Sequence, residues 1–403
     1  MTDLATRVAA ARPGTLRRAA PALLGYAAVR SLGLVTLAVW SAAHGKSAYT
    51  LLTARWDALW YTRVAELGYG YEVRLPNGDV HSNLAFFPLL PWLERLLAAV
   101  TPLSCADAGF AVSLLASLAA AWGIFAVADH VYGRDDGRAG VWAVLLWAVL
   151  PVGVVQSMAY SESLFTALAA WSLYAVLTGR WVTAGALALF AGLTRPVGLA
   201  VVAAVWAAAV ASFVRSRSAP AADGALQAAH APAFTAHAPA RRLLGMLLAP
   251  LGAAGYVLWV GHRTGRGPLG YLDVQAGWRN GFDGGYAFAR FVAGKFTSCP
   301  SALAGLGLII GVALVIWLYV VCVRQGQPLA LLVYSGAVTA LALCASSYFG
   351  SKPRLLLPAF PLLLPLALAL ARLRTSRPAL VVGGVAVASA IYGAFWLNGS
   401  GPP

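Results

Sequence analysis

The sequence predicts an all-α, polytopic membrane protein, and two observations carry that expectation. Sixty per cent of its 403 residues are hydrophobic and only 11% are charged, against roughly 25% charged in ordinary soluble domains. Eleven apolar runs of about spanning length also follow one another, near residues 22–43, 106–128, 139–158, 163–178, 181–193, 197–214, 243–262, 301–323, 328–346, 355–371 and 379–397. The formal net charge of +15 would raise a nucleic-acid partner in a soluble chain. Here most basic residues sit at the ends of apolar runs rather than in a basic stripe, so topology accounts for them and no nucleic-acid partner is expected.

Residues 1–20 are basic, and the first run is too long for a signal-peptide core, so it reads as an uncleaved anchor. With the N-terminus cytoplasmic, the inner segments receive Arg7, Arg12, Arg17 and Arg18, then Arg134 and Arg138, Arg180, Arg215 and Arg217, Arg241 and Arg242, Arg324, and finally Arg372, Arg374 and Arg377. Every cytoplasmic segment then holds an arginine, as the positive-inside rule asks. Outer cations lie chiefly in two long loops, 44–105 and 263–300, which the rule discounts. Arg195, Lys352 and Arg354, in short outer segments, are the exceptions.

The whole chain, 1–403, reads as one transmembrane domain. Its Ala-, Pro- and His-containing stretch 218–240 is expected to be a flexible cytoplasmic linker, with His230 and His237 solvated. No internal repeat is visible, which disfavours transporters built from inverted halves. Four cysteines, at 105, 299, 322 and 344, show no CxxC spacing, and the six histidines form no HxxxH pair, so no metal site is expected. Cys105 and Cys299 both fall near outer segment ends, which leaves a disulfide and two free thiols as alternatives. Arg30, inside the first span, requires a partner or a water cavity that the sequence does not name.

The unusual polar residues collect on the outer side of this topology. Residues 55–67 are expected to form a helix along the membrane interface, anchored by Trp56, Trp60 and Tyr61. At about 100° per residue, Asp57, Tyr61 and Val64 share one face and Glu66 falls half a turn away. Asp57 is a candidate general base; the alternative is a helix N-cap. Trp56, Tyr61, Glu66 and Glu162 are candidate substrate contacts, although Glu162, after Ser161, also suits a helix's first turn. Arg195 precedes Pro196, and Lys352 and Arg354 flank Pro353, each at a helix opening where positive charge opposes the dipole. Such placements suit an arriving phosphate; snorkelling to headgroups is the alternative. Asp273 and Asp283 lie in the Gly-rich, aromatic stretch Gly265–Tyr286, which would close over a ligand or serve as a passive cap.

Several blocks together resemble one family. Arg55-Trp56-Asp57-Ala58-x-x-Tyr61, Ala65-Glu66-x-Gly68-Tyr69 and Ala85-Phe86-Phe87-Pro88-x-x-Pro91 are similar to the first lumenal loop of the PIG-V family, GPI mannosyltransferase 2 and its bacterial relatives. Ser161-Glu162-Ser163-Leu164-Phe165, Gly192-Leu193-Thr194-Arg195-Pro196-x-Gly198 and Lys352-Pro353-Arg354-x-x-x-Pro358-x-Phe360-Pro361 look like its later blocks. The likeness covers residues 55–95, 160–200 and 350–362, and elsewhere only hydropathy. Trp60-Tyr61 stands where eukaryotic members usually carry a His-Phe-like pair, which points to the bacterial type.

The resemblance implies a GT-C glycosyltransferase fold with about eleven transmembrane helices and a long first extracytoplasmic loop, 44–105, containing interfacial helices. It implies an enzyme that takes mannose from polyprenyl-phosphate-mannose and inverts it onto an extracytoplasmic glycolipid, glycan or protein acceptor. Only Asp57 matches the family's acid in that loop. Arg195, Lys352 and Arg354 would hold the donor phosphate. The absence of a nucleotide-binding Gly-rich loop or a DxD pair accords with a lipid-linked donor and with no metal or cofactor. The expected partners are the donor, the acceptor and membrane lipids, and the expected location is the plasma membrane if the source is bacterial. Two alternatives stay open: a lipid or sugar-lipid transporter, and a GT-C enzyme using another polyprenyl-phosphate sugar.

Overall fold

The computed structural model describes residues 16–133, 137–218, 238–346, 348–373, 376–399 and 401. All but the ends of the expected linker lies outside these residues, as do Arg7, Arg12, Arg134, Arg374, His230 and His237.

The chain opens with α1 (Leu16–Ala43). Before the next long helix come α2 (Ala48–Thr53), α3 (Asp57–Leu67), an antiparallel hairpin of β1 (Glu72–Arg74) and β2 (Val80–Ser82), and α4 (Leu89–Val100). Next are α5 (Cys105–Tyr132), α6 (Arg138–Ala148), α7 (Ser161–Leu177), α8 (Trp181–Gly192) and α9 (Gly198–Ser218). The remainder holds α10 (Ala238–Leu248), α11 (Leu251–Thr264), α12 (Gly270–Gly277), β3 (Gly281–Phe282), α13 (Tyr286–Ala293), α14 (Cys299–Arg324), α15 (Leu329–Cys344), β4 (Ala345–Ser346), α16 (Lys352–Leu355), α17 (Leu364–Arg372) and α18 (Arg377–Asn398). Strands β3 and β4 pair antiparallel and tie the loop before α13 to the end of α15.

Among the described residues, six helices are long and apolar enough to cross a membrane: α1, α5, α9, the α10–α11 run Pro239–Thr264, α14 and α18. A seventh appears if the bent pair Phe349–Leu355 and Phe360–Arg372 counts as one span; α6, α7, α8 and α15 are apolar but shorter. The chain is thus an integral membrane protein. Helix length alone does not establish eleven crossings.

Breaks in two of the apolar runs serve the site. The run 139–158 is helical only to Ala148, because Pro151 cannot continue the backbone ladder. The carbonyls freed there are met by side chains from α1, from α18 and from the segment itself, as a water-poor interior requires. Arg30 donates through its two terminal nitrogens to the carbonyls of Gly153 and Ala148, Ser389 donates to Leu150 O at 2.7 Å, and Gln156 Nε2 to Trp147 O at 2.8 Å. These carbonyls are the partners that the sequence could not name for Arg30. The second break is the 72° bend between Leu355 and Phe360, in a stretch holding Pro353, Pro358 and Pro361. Trp147 Nε1 donates to Leu357 O and Tyr334 Oη to Pro358 O, each at 3.0 Å.

Helices α5 and α7 pack side by side through small residues, with Ala120, Ala121, Ala169 and Ala170 fully buried. A Cβ at Gly123 would stand 2.9 Å from Ala170 Cβ, so the two backbones approach as only small residues permit. At the edge of the bundle α1 packs along α18, and Asn398 Nδ2 donates to Ser41 Oγ at 3.1 Å.

Candidate active site

The site begins with a strained turn. Trp56 sits at φ 51°, in the left-handed region that costs a bulky residue energy and concentrates at functional positions. The Arg55 guanidinium lies 4.2 Å from the Trp56 ring centre. The next residue, Asp57, starts α3. Trp56 occupies the N-cap position and Asp57 the first turn, so its carboxylate does not cap its own helix.

Three other pieces of chain are brought to it. Ala159 N donates to Leu52 O at 3.0 Å and Ser113 Oγ to Tyr160 O at 3.0 Å, which pins Tyr160, Ser161 and Glu162 against α2 and α5. Leu89 N donates to Leu193 O at 3.0 Å, which holds the α8–α9 junction carrying Arg195. The short helix α16 supplies Arg354 from just before the proline bend.

Four charged groups from these pieces form one network. Arg354 Nη2 lies 2.8 Å from Asp57 Oδ2, and its Nε lies 3.7 Å from Glu162 Oε1. Arg195 pairs with the same Glu162 oxygen and donates to Ser161 Oγ at 3.4 Å. Tyr61 Oη and Ser161 Oγ are 2.7 Å apart, and the Arg354 guanidinium lies 5.2 Å from the Tyr160 ring centre. Exposure is graded: the side chain of Glu162 is 1% exposed, Arg354 11%, Arg195 14% and Asp57 24%. The two acids balance the two bases, and Asp57 is the most accessible of the four. Burial pushes the Tyr61 phenol above its ordinary range, with Arg195 opposing, so Tyr61 remains a neutral hydroxyl. Among the described residues, Arg354 Nη1 and Tyr160 Oη are buried without a hydrogen-bond partner, an arrangement native proteins keep where a polar group serves a purpose.

The structure brings Asp57, Glu162, Arg195 and Arg354 together, with Tyr61 joined through Ser161 and Trp56 beside them in the chain. It takes Lys352 elsewhere. Lys352 Nζ donates to Ala342 O and Ala345 O, both at 2.8 Å, and lies 4.8 Å from the Phe288 ring centre. It therefore neutralises the carbonyl end of α15, where a cation is favoured, and is buried there. Glu66 is exposed near the far end of α3, where its charge acts on Glu94 rather than on the Asp57 cluster. Arg195 and Arg354 already hold carboxylate partners, which answers their placement against helix dipoles from within the chain.

Asp283 accepts from Gly285 N at 2.9 Å and Ala287 N at 2.8 Å, a cap for α13, and the exposed Asp273 pairs loosely with Arg266 at 3.8 Å. Cys105 and Cys299 are both unpaired. Tyr160 escaped the sequence reading, although it adjoins the Ser161-Glu162-Ser163 block.

Residues 37–218 match the model of the family described as mannosyltransferase (PIG-V). That segment contains Asp57, Tyr61, Glu162 and Arg195, and the match bears out the likeness read from the motifs. No curated protein matches the chain. Among solved structures, ArnT from Cupriavidus metallidurans bound to undecaprenyl phosphate is 15% identical with a TM-score of 0.49, over 89% of this chain and 61% of that one. The apo form of the same ArnT is 15% identical with a TM-score of 0.48, over 91% and 61%. The archaeal oligosaccharyltransferase AglB from Archaeoglobus fulgidus, in complex with an inhibitory peptide and a dolichol-phosphate, is 14% identical with a TM-score of 0.44, over 94% and 56%. The chain spans about three fifths of the length of these proteins.

Proposed function

We propose that this chain, whose residues 37–218 match the model of the PIG-V mannosyltransferase family, is a glycosyltransferase that transfers mannose from polyprenyl-phosphate-mannose to an acceptor hydroxyl. One observation carries the reading. An accessible carboxylate, Asp57, stands 2.8 Å from a buried arginine that has a nitrogen to spare, with a second arginine beside it.

In the proposed reaction Asp57 takes the proton of the acceptor hydroxyl as its oxygen forms a bond to the anomeric carbon. The bond from that carbon to the phosphate oxygen breaks, and its electron pair leaves with the polyprenyl phosphate. Attack from the face opposite the phosphate inverts the sugar. Negative charge thus disappears from Asp57 and appears on the leaving phosphate. Arg354 is the group suited to follow it: as Asp57 becomes neutral, its hold on the guanidinium weakens. Arg195 adds the second positive charge, and cations aimed at developing charge supply the stabilisation that proton removal alone does not. Tyr61 and Ser161 fix the wall between α3 and α7.

In this reading the fold is of the GT-C type, and the segment 44–105 is the catalytic loop. The site opens to the extracytoplasmic side and the N-terminus is cytoplasmic, in the plasma membrane of a bacterium. The acceptor is a glycolipid, glycan or protein. The test uses the purified protein in lipid nanodiscs with radiolabelled polyprenyl-phosphate-mannose and extracted membrane glycolipids. Label moving from the phosphate to a new glycosidic product supports the proposal. Label that stays on the donor, while protein in vesicles moves that lipid between leaflets, overturns it in favour of a transporter.

A further inference from the structure

Basic residues gather where α8 begins, α9 ends and α10 begins. Arg180 is the N-cap of α8, and Arg215 and Arg217 lie in the last turn of α9; all three are exposed. Arg242 joins them from α10, donating to Ser216 Oγ at 3.2 Å and lying 5.4 Å from the Phe213 ring centre. Gly245, one turn further along α10, packs against the carbonyl of Trp181 too closely for a side chain, which brings Arg180 to the same place. Among the described residues none of these four arginines pairs with a carboxylate.

Helix α9 gives the depth of this patch. Arg195, in the Asp57 cluster, stands just before Gly198, where α9 starts. From Gly198 to Arg215 is about 26 Å at 1.5 Å per residue, close to the roughly 30 Å of a hydrocarbon core. The four arginines therefore stand at headgroup level in the leaflet opposite the Asp57 cluster. From there toward the bilayer centre, Val214, Val210 and Trp206 form one exposed apolar stripe along α9, and Leu243 and Leu247 another along α10. Trp206 Nε1 donates to Met246 O at 2.8 Å, so the first stripe adjoins α10.

We propose that this end of α8, α9 and α10 binds an anionic diacyl phospholipid, with its phosphate among Arg180, Arg215, Arg217 and Arg242 and its acyl chains along the two stripes. The positive-inside preference asks only that arginine stay on one side of the membrane. It does not ask four to converge without an acid, nor Arg242 to be held by a ring and a serine. Like charges so placed repel, and Arg180 also opposes the dipole of α8. A phosphate relieves both and suits guanidinium forks. Charge complementarity selects an anionic headgroup over a zwitterionic one, and the stripes select a lipid over a soluble anion. The site lies at the opposite end of the bundle from the proposed catalytic groups and does not rest on the transfer reaction.

Native mass spectrometry of the full chain in detergent tests the proposal with dioleoyl phosphatidylglycerol and dioleoyl phosphatidylcholine. The first phosphatidylglycerol should bind at least about tenfold tighter than phosphatidylcholine, and each arginine removed should cost about fivefold. Arg242→Gln should therefore weaken phosphatidylglycerol binding about fivefold, and Arg215→Gln combined with Arg217→Gln about 25-fold, with phosphatidylcholine unaffected. Arg324→Gln is the control: it removes an arginine from the last turn of α14, beside the end of α5, where Tyr132 donates to Gln325 at 3.1 Å. It should change neither affinity. Equal affinity for the two lipids overturns the proposal. So does a loss in Arg324→Gln as large as that in Arg242→Gln, which would mean a diffuse charge effect. Displacement of the lipid by inorganic phosphate at constant ionic strength would overturn it in favour of a free anion, and displacement by polyglutamate in favour of an acidic protein. If Arg242→Gln does not fold, the double variant of the exposed Arg215 and Arg217 decides by its own threshold.

Discussion

Arg354 meets Asp57 at 2.8 Å although one belongs to the short helix before the proline bend and the other opens α3. Each therefore fixes the other's position, and separate substitutions distinguish their chemical roles. Asp57→Asn should lower transfer by about 10²–10⁴-fold, the usual contribution of a positioned base, while undecaprenyl phosphate still binds. Arg354→Ala should weaken donor binding, and Arg354→Lys should not restore it, since one ammonium cannot face a carboxylate and a phosphate as a guanidinium fork does. Full turnover by the Asn variant would end the general-base role.

Arg195 and Glu162 should behave as a unit. Arg195→Met alone leaves a carboxylate whose side chain is 1% exposed with only the longer 3.7 Å contact to Arg354, a loss of up to about 3–5 kcal/mol for a pair broken from one side. Adding Glu162→Gln should recover much of that loss, because the buried charge that lost its nearer partner is gone. Thermal unfolding of both single variants and the double variant in detergent measures the coupling. Strictly additive losses would mean that the two side chains are independent.

Lys352→Met should lower thermal stability, because two carbonyls at the end of α15 lose their donor at about 1–3 kcal/mol for each unsatisfied group. Donor KM in the folded fraction should stay near the wild-type value. A large rise in KM without loss of stability would return Lys352 to the phosphate site.

Glu94, fully buried in α4, gives a prediction in pH. Burial first and the Glu66 charge second hold its carboxyl well above the usual carboxylate range. The folded protein therefore keeps a proton that the unfolded chain releases near pH 4.3. Stability falls as pH rises from there toward the folded-state value, since the unfolded state binds fewer protons in that window. Glu94→Gln, neutral at every pH, should match wild type near pH 4 and unfold at a higher temperature near pH 8. Equal midpoints at pH 8 would mean that Glu94 is ionised and compensated.

Much of this was legible in the sequence, for physical reasons. Hydropathy marks helical segments because the lipid interior tolerates little else, but averaging over a window hides breaks such as that at Pro151. Asp57, Glu162, Arg195 and Arg354 stood out because each charge in an oily chain demands a reason. Their pairing did not, since which base meets which acid is decided by tertiary packing. Lys352 is instructive: it lies two residues from Arg354 in a four-residue helix, and such neighbours point to different sides. That geometry already argued against both facing one phosphate. Tyr160 was hidden by abundance, one ring among the 15 tyrosines, 15 phenylalanines and 14 tryptophans of the chain.

The contact between α1 and α18 bears on how the bundle is assembled. Asn398 donates to Ser41 and Ser389 to the carbonyl of Leu150, so the break after α6 gains its last donor only when α18 packs against α1. A chain without α18 would leave the Leu150 carbonyl without this donor inside a bundle that has little water to replace it.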